Sequence, residues 1–342
     1  MSTSAPTGAA PTLRLGTRRS TLAMTQSTLV ADALRARGHT VTLVPIVTEG
    51  DVSRAALRTL GGTGVFAAAL REALVSGTID LAVHSLKDLP TAAHPDLVIA
   101  AVPAREDARD AVVARDGLTL AELGDGARVG TGSPRRIAQL NALGWGLVTE
   151  EIRGNVETRI ALVDDGPLDA VVLAYAGLRR LGLQDRVTEV LDPLLMLPAP
   201  GQGALAVECR ADRADVRAAV ASLDDSDTRA CVSAERSVLA ILEAGCSAPV
   251  GALGLIVEDL DDEGRVVPEL SLRAVVASTD GGDEVRRSLV GSPSDPEALA
   301  RDLAELLLDD GAAQIMRQSS TDPPPDPPLA APPAHSSLEN SP

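Results

Sequence analysis

Short apolar runs alternate with amphipathic stretches from residue 13 to about residue 224. The run Leu13–Gly16 is typical of a buried strand, and the apolar spacing of Leu22–Arg37 is typical of a helix that ends at Gly38. Strands that alternate with helices predict α/β domains with mostly parallel sheets. The further predicted strands are Val41–Val47, Leu81–Val83, Val98–Val102, Val112–Val113, Val129, Leu147–Ile152, Ala170–Ala174 and Ala204–Val207, and the further helices are Val65–Ser76, Pro134–Leu143 and Asn155–Asp164.

The pattern changes beyond about Asp225. A helix over Thr228–Leu242 precedes three closely spaced strand-like runs, and a last helix covers Pro296–Leu308. Several strands in succession, without intervening helices, predict a small α+β domain with an antiparallel sheet. The three runs are Val250–Val257, Leu270–Ala277 and Val285–Val290.

Three segments have a composition that disfavours regular structure. Ser319–Pro342 holds eight of the 23 prolines and no Lys or Arg, which predicts a disordered tail. Residues 1–11 are rich in Ala, Pro, Ser and Thr and are expected to be loose as well. Thr48–Gly64 is polar and contains glycines, which predicts a mobile loop.

Charge and composition exclude several classes of protein. The formal net charge of −17 disfavours binding to a nucleic acid backbone or an anionic membrane, because both require a basic surface. No apolar run reaches the roughly 20 residues of a membrane helix, and Met1–Pro11 has no secretory signal. Three cysteines do not make a disulfide framework. We therefore expect a soluble, reduced, cytoplasmic protein.

Arginines follow three of the predicted strands. The segments are Thr17–Ser20, Gly130–Arg136 and Ile152–Arg159. Ligands of open α/β sheets bind at the carboxyl ends of strands, where helix N-termini and Arg side chains suit anions. Arg135 and Arg136 oppose the dipole of their helix unless a negative group lies there. The segments predict a ligand with several carboxylates or phosphates, although capping residues beside exposed arginines remain an alternative.

The only lysine, Lys87, is beside Asp88 after a predicted buried strand, in a chain with thirty arginines. A lysine that persists against such a bias is a candidate for a role that Arg does not fill. The Asp88 carboxylate could stabilise a cation or transfer protons. A surface ion pair of small energy is the other interpretation.

Cys246 lies in a short predicted loop, whereas Cys209 and Cys231 lie in predicted buried elements. A loop thiol is accessible to modification, and buried cysteines behave as small apolar residues. A structural role for Cys246 stays open on its position alone. The spacing of the Cys and His residues does not predict a metal site.

Seven segments together resemble the porphobilinogen deaminase (hydroxymethylbilane synthase) family, in its order and spacing over residues 12–313. They are Gly16–Ala23, Ala82–Pro90, Gly130–Arg136, Arg153–Arg159, Pro200–Ala204, Ala234–Arg236 and Gly245–Gly251. The resemblance implies an α/β fold of three domains, two of them similar to the lobes of type-II periplasmic binding proteins and the third a small α+β domain. The implied boundaries are 12–104 with 200–224 for domain 1, 105–199 for domain 2 and 225–313 for domain 3. Residues 1–11 and 314–342 lie outside these domains, and we expect both segments to be disordered.

By the same resemblance, the protein condenses four porphobilinogen molecules into the linear hydroxymethylbilane with release of ammonia. A dipyrromethane cofactor, bound through a thioether to Cys246, primes this growth, and Asp88 is the catalytic residue. The product would pass to uroporphyrinogen-III synthase, and the enzyme would be a monomer. The implied residues that bind cofactor and substrate are Arg18, Ser20, Gln26, Phe66, Ser85, Lys87, Thr131, Ser133, Arg135, Arg136, Arg153, Arg159, Arg180 and Gln202.

Two other functions compete with this one. A non-catalytic two-lobed binding protein for a polycarboxylate would share the arginines, but it would not need Lys87 with Asp88, or Cys246. A thiol enzyme with Cys246 as nucleophile would need a base, and no His is close to it in sequence. Thr63, where many family members have a basic residue, and Pro134, in place of an aliphatic one, are departures from the family pattern.

Overall fold

The computed structural model describes residues 12–46, 64–244, 248–261 and 263–321. Within these ranges the chain forms three sheets. Cys246, Thr63 and the predicted disordered segment 1–11 lie outside them, as does the predicted loop Thr48–Gly64 apart from Gly64, which begins a helix.

The first sheet has the strand order β2-β1-β3-β10-β4, and with its helices we call it lobe 1. Leu15 and Leu81 are among the fully buried side chains of its core. Its strands are β1 (Leu13–Thr17), β2 (Val41–Pro45), β3 (Leu81–Ser85), β4 (Leu97–Ala101) and β10 (Leu205–Arg210), and its helices are α1 (Thr21–Arg35), α2 (Gly64–Val75) and α6 (Ala214–Val220).

The second sheet has the equivalent order β7-β6-β8-β5-β9 and belongs to lobe 2. An apolar cluster that contains Val113 covers one face of this sheet, and a cluster that contains Val112 covers the other. The two valines are neighbours on β5, so their side chains point to opposite faces. The strands are β5 (Asp110–Ala114), β6 (Arg128–Thr131), β7 (Val148–Glu151), β8 (Ala170–Ala174) and β9 (Glu189–Val190), and the helices are α3 (Pro134–Ala142), α4 (Val156–Asp164) and α5 (Tyr175–Arg180).

Four strands of each sheet run in one direction, which confirms the mostly parallel prediction, but β10 and β5 run antiparallel to both of their neighbours. Each reversed strand follows a segment that crosses from the other lobe: 102–109 leads into β5, and 191–204 leads into β10. Because β5 and β10 run antiparallel to the other strands, each begins at the carboxyl ends of the parallel strands. The carboxyl ends of the parallel strands therefore face the other lobe in both sheets.

The third sheet is an antiparallel meander that lies against two long helices and forms domain 3. This confirms the predicted fold class of two α/β lobes and a small α+β domain. Its strands are β11 (Val250–Leu260), β12 (Val266–Ala277) and β13 (Glu284–Gly291), and its helices are α7 (Ser226–Ile241), α8 (Pro296–Asp309) and α9 (Ala312–Thr321).

Side chains at the helix starts explain where several helices begin. The Ser20 hydroxyl accepts a hydrogen bond from the Ala23 amide at 3.4 Å, and the Asn155 side chain accepts one from Thr158 at 2.8 Å. Asp225 caps α7 in the same way. Each cap satisfies an amide that the helix itself leaves without a partner.

The predicted disorder from residue 314 is wrong for its first residues, because α9 runs to Thr321. Ile315 is buried and Met316 packs beside it on the core of domain 3. The proline-rich composition begins only at Pro323, so the sequence just before it forms a short amphipathic helix that the composition of the tail did not indicate. The exact domain boundaries stay a prediction, although β10 returns to lobe 1 as a discontinuous first domain requires.

Within the described ranges, no helix combines the length and apolar composition that are needed to cross a membrane.

Candidate active site

The two crossing segments lie in contact between the lobes. The Glu106 amide donates to the Gly203 carbonyl at 3.3 Å. Gly203 has φ of +86°, and a Cβ there would lie 2.3 Å from the Glu106 carbonyl oxygen. Only glycine therefore allows this approach of the two backbones. The carboxyl ends of the parallel strands of both sheets lie beside this hinge. We call the space between these two sets of strand ends the cleft.

Asp110, the first residue of β5, is fully buried at the hinge and binds three side chains. Its Oδ1 accepts from Arg136 Nη2 and from Gln202 Nε2, both at 2.8 Å, and Arg135 Nη1 lies 2.8 Å from Oδ2. Burial alone would raise the pKa of the Asp110 carboxyl, but the two guanidinium groups outweigh it and hold this pKa well below its usual range. Asp110 is thus a buried anion.

Asp110 is also the negative group that the sequence required beside the arginines at the start of α3. Arg135 and Arg136 are both buried. Arg135 also donates to the Leu197 carbonyl (2.6 Å), and Arg136 donates to the Val172 carbonyl (3.0 Å). From the sequence we expect these donors to face a ligand. In the structure, Arg135 joins α3 to Leu197 of a crossing segment, and Arg136 joins it to Asp110 at the hinge and to β8 of lobe 2. Their role in ligand binding stays a prediction.

Lys87 and Asp88 lie on a 3₁₀ turn, Leu86–Asp88, directly after β3. Lys87 Nζ donates to Gln202 Oε1 at 3.3 Å, so Gln202 links the turn of lobe 1 to Asp110 of lobe 2. Part of the Lys87 side chain is accessible, while the Asp88 side chain is exposed. Burial of the ammonium among protein atoms lowers the pKa of Lys87 to about 8, against the opposing effect of Asp88.

A second cation faces Asp88 from lobe 2. Burial lowers the pKa of Arg159 to about 10, with Arg136 and Arg153 lowering it further and Asp88 opposing them. Arg159 therefore lies within electrostatic range of Arg136, Arg153 and the Asp88 carboxylate. Its Nε donates to the Gly154 carbonyl at 2.9 Å.

The remaining predicted residues divide into those at the cleft edge and those in structural contacts. Arg18 follows β1 and is half-buried, and Gln26 Nε2 donates to the Ser85 hydroxyl at 3.0 Å at the end of β3. Arg153 is exposed and pairs with Glu151. Arg180 donates to the Gly203 carbonyl at 2.6 Å, which is a contact with the hinge.

The predicted hydroxyl residues make local contacts in the structure. Ser20 caps α1, and the buried Thr131 hydroxyl accepts a hydrogen bond from the Ser133 amide. Phe66 lies in α2, but its side chain is outside the described part of the structure.

Two buried acidic residues that contact the hinge, Asp110 and Glu235, were not predicted from the sequence. Glu235 is fully buried on α7, and its carboxylate binds Arg105 (2.6 and 3.0 Å) and the amides of Gly201 (2.6 Å) and Gly254 (2.8 Å). It therefore joins domain 3 to the hinge. A signal was available, because a carboxylate beside Ala234 on the buried face of an amphipathic helix requires a partner.

The two cysteines in the described ranges are buried, and burial raises the pKa of Cys209 to about 11 and that of Cys231 to about 12. Both are therefore thiols at neutral pH and poor nucleophiles. The same ranges contain no group of three or more His, Cys, Asp or Glu side chains that could hold a metal ion.

Comparison with known proteins gives the same family as the seven sequence segments do. The family model "Porphobilinogen deaminase, dipyromethane cofactor binding domain" matches residues 13–218, and the family's C-terminal domain matches residues 229–309. The porphobilinogen deaminase of Nocardia farcinica is 57% identical over 312 residues, which are 90% of each chain. That of Mycobacterium tuberculosis H37Rv is 58% identical over 304 residues, 89% of this chain and 98% of the relative.

Among solved structures, the methionine binding protein MetQ aligns with 62% of this chain and 89% of its own, at 14% identity and a TM-score of 0.40. A nutrient binding protein from Burkholderia cenocepacia aligns with 61% of this chain and 90% of its own, at 15% identity and a TM-score of 0.38. The family models and the close relatives extend over both lobes and domain 3. The chain therefore belongs to the porphobilinogen deaminase family.

Proposed function

We propose that this protein condenses four porphobilinogen molecules into hydroxymethylbilane and releases ammonia, in tetrapyrrole biosynthesis. The observation that carries the proposal is the turn that presents Lys87 and Asp88 to a cleft lined by arginines. Family membership supplies the reaction, and the cleft contains the types of group that this reaction needs.

The cations of the cleft suit the substrate and its products. Each pyrrole unit carries an acetate and a propionate, so the growing chain gains negative charge with every condensation. Arg18, Lys87 and Arg153 follow strands of the two lobes, and Arg159 lies on α4, the helix after β7. Arginine pairs with carboxylates through two parallel hydrogen bonds, and a basic cleft attracts an anion even on an acidic protein. We propose that these residues bind the carboxylates.

The exposed Asp88 carboxylate is the anion that this cationic cleft offers to a reacting group. Loss of ammonia from porphobilinogen leaves a cation at the former aminomethyl carbon. A carboxylate held beside that carbon stabilises the cation and can transfer protons to the leaving amine and from the pyrrole. Lys87 and Arg159 lie within electrostatic range of this carboxylate.

The residues of the cleft also fit the dipyrromethane cofactor, whose own acetates and propionates require cations. When bound, this group supplies the pyrrole carbon at which growth begins. We propose that Lys87 binds one of its carboxylates and that Cys246 carries its thioether. The high pKa values of the buried Cys209 and Cys231 support this choice, because neither is suited to attack.

The proposal also covers the remaining binding residues, the location of the protein and its oligomeric state. Arg135, Arg136, Arg180, Gln26 and Gln202 would bind cofactor or substrate directly, or hold the residues that do. Phe66, Ser20, Ser85, Thr131 and Ser133 belong to the same proposed set. The protein would act in the cytoplasm as a monomer and pass its product to uroporphyrinogen-III synthase.

Incubation of the purified protein with porphobilinogen tests this function. We expect ammonia release in step with substrate consumption, and a product that oxidises to a coloured porphyrin after ring closure. Saturable binding of porphobilinogen without ammonia would favour the two-lobed binding protein instead.

The lowered pKa of Lys87 predicts how cofactor assembly depends on pH. With a pKa of about 8, roughly nine in ten of these side chains carry a charge at pH 7. The charge, and with it the attraction for a carboxylate, is lost as the pH rises through about 8. We therefore expect assembly of the cofactor on apo-protein to slow above this pH.

A Lys87→Arg variant should lose this pH step, because its guanidinium remains charged. Lys87→Met should assemble slowly at every pH. The measurement is the loaded fraction after a fixed incubation with porphobilinogen, read from the intact mass. An identical pH step in Lys87→Arg would assign the titration to another group.

A further inference from the structure

Arg236, on α7 of domain 3, binds the turn that carries Lys87 and Asp88. Arg236 Nη1 donates to the Leu86 carbonyl at 3.2 Å and to the Leu89 carbonyl at 3.0 Å, and Nη2 donates to the Pro90 carbonyl at 2.6 Å. These acceptors lie on both sides of Asp88 in the chain. A single guanidinium thus spans the whole turn.

The same face of α7 also contacts the turn through apolar packing. Val232, one helical turn before Arg236, shares a buried cluster with Leu86 and Leu89. All three are almost fully buried. Leu86 and Leu89, on either side of Lys87 and Asp88, therefore pack against Val232. Arg236 binds the carbonyl groups of the same segment.

The turn has few backbone bonds of its own. The Leu89 amide donates to Leu86 at 3.2 Å, and the Leu86 amide donates to Ala204 of the hinge at 3.0 Å. A 3₁₀ turn of three residues has weaker hydrogen-bond geometry than an α-helix. Its conformation depends on contacts from outside, and Arg236 makes three of them.

Helix α7 also leads toward the segment that contains Cys246, ten residues after Arg236 in the chain. Arg236 belongs to domain 3, whereas the turn belongs to lobe 1. The contact therefore joins the proposed catalytic turn to the domain that carries the proposed cofactor attachment.

We propose, on the basis of the function proposed above, that Arg236 is a positioning residue for Asp88. It holds the turn at a constant place relative to domain 3, so that the carboxylate meets each new substrate in the same geometry. Its planar fork reaches three carbonyls, which the single ammonium of a lysine would not. Displacing a reacting group by about 1 Å costs up to roughly 100-fold in rate.

The test compares Arg236→Ala and Arg236→Lys with Arg229→Ala. Arg229 is a matched control, because it lies on the same helix and pairs with Asp224 near the surface. We expect Arg236→Ala to lower kcat per cofactor-loaded molecule roughly 10- to 100-fold, with KM for porphobilinogen within about twofold. We expect Arg236→Lys to fall between it and the wild type, and Arg229→Ala to match the wild type.

Hydrogen exchange of the amides of residues 86–89 gives a second readout, which does not depend on activity. Arg236→Lys should exchange faster there than the wild type, with unchanged exchange in the strands of lobe 1. If Arg236→Ala does not fold, Arg236→Lys carries the test by itself. A variant with wild-type kcat per loaded molecule and wild-type exchange at residues 86–89 would overturn the proposal. Absence of ammonia release by the wild type would instead overturn the proposed function.

Discussion

An Asp88→Ala variant should fold normally and turn over porphobilinogen roughly 10²- to 10⁴-fold more slowly per cofactor-loaded molecule. The side chain is exposed, so its removal leaves no buried partner without a bond. It takes away the carboxylate that we propose for proton transfer and for stabilising the cation. Asp88→Asn keeps the shape without the charge and should lose nearly as much.

Steady-state ammonia release, divided by the loaded fraction, measures this effect. Asp96→Asn is a suitable control, because Asp96 is another exposed aspartate of lobe 1, just before β4. Activity of Asp88→Asn near that of the control would remove Asp88 from the mechanism.

An Asp110→Asn variant should lose about 3–5 kcal/mol of its free energy of unfolding, because Arg135 and Arg136 would then share a buried site without a full counter-charge. Urea unfolding at pH 7 measures the loss. The control is Asp164→Asn, which breaks the half-exposed pair with Arg186 and should cost about 1 kcal/mol or less.

The sign of the pH effect follows from the lowered pKa of Asp110 in the folded state. Its contribution to stability is present above the unfolded-state pKa of about 3.9 and is lost as the pH falls below that value. The difference between wild type and Asp110→Asn should therefore shrink below about pH 4. A difference that is small at pH 7 would contradict a buried ionised Asp110.

The alternation of apolar runs and amphipathic stretches was sufficient to locate most strands and helices of both lobes. It did not predict the direction of β10 and β5, because strand direction depends on which lobe the chain comes from and not on side-chain pattern. It also missed α5 and α6, whose six and seven residues are too short to show a helical period.

The sequence indicated some residues of the site but not their partners, because the partners come from distant parts of the chain. Lys87 and Asp88 were apparent because a lone lysine is rare in this composition. Arg135 and Arg136 were noted as an electrostatic conflict with the helix dipole, but their partner Asp110 comes from another strand. Contacts between distant segments, such as those of Glu235 and Arg236, leave little trace in the local pattern. The resemblance to a family indicated that their segment matters without saying what it contacts.

The intact mass of the protein, purified from a cell that makes porphobilinogen, shows whether the chain carries the dipyrromethane on Cys246. We expect an added mass of two linked pyrrole units, a colour with Ehrlich's aldehyde reagent, and localisation of that mass to the peptide containing Cys246. Cys246→Ser should show neither the mass nor the colour. An unmodified wild-type chain that also releases no ammonia from porphobilinogen would contradict the account, and a cofactor bound to Cys209 or Cys231 would contradict its assignment to Cys246.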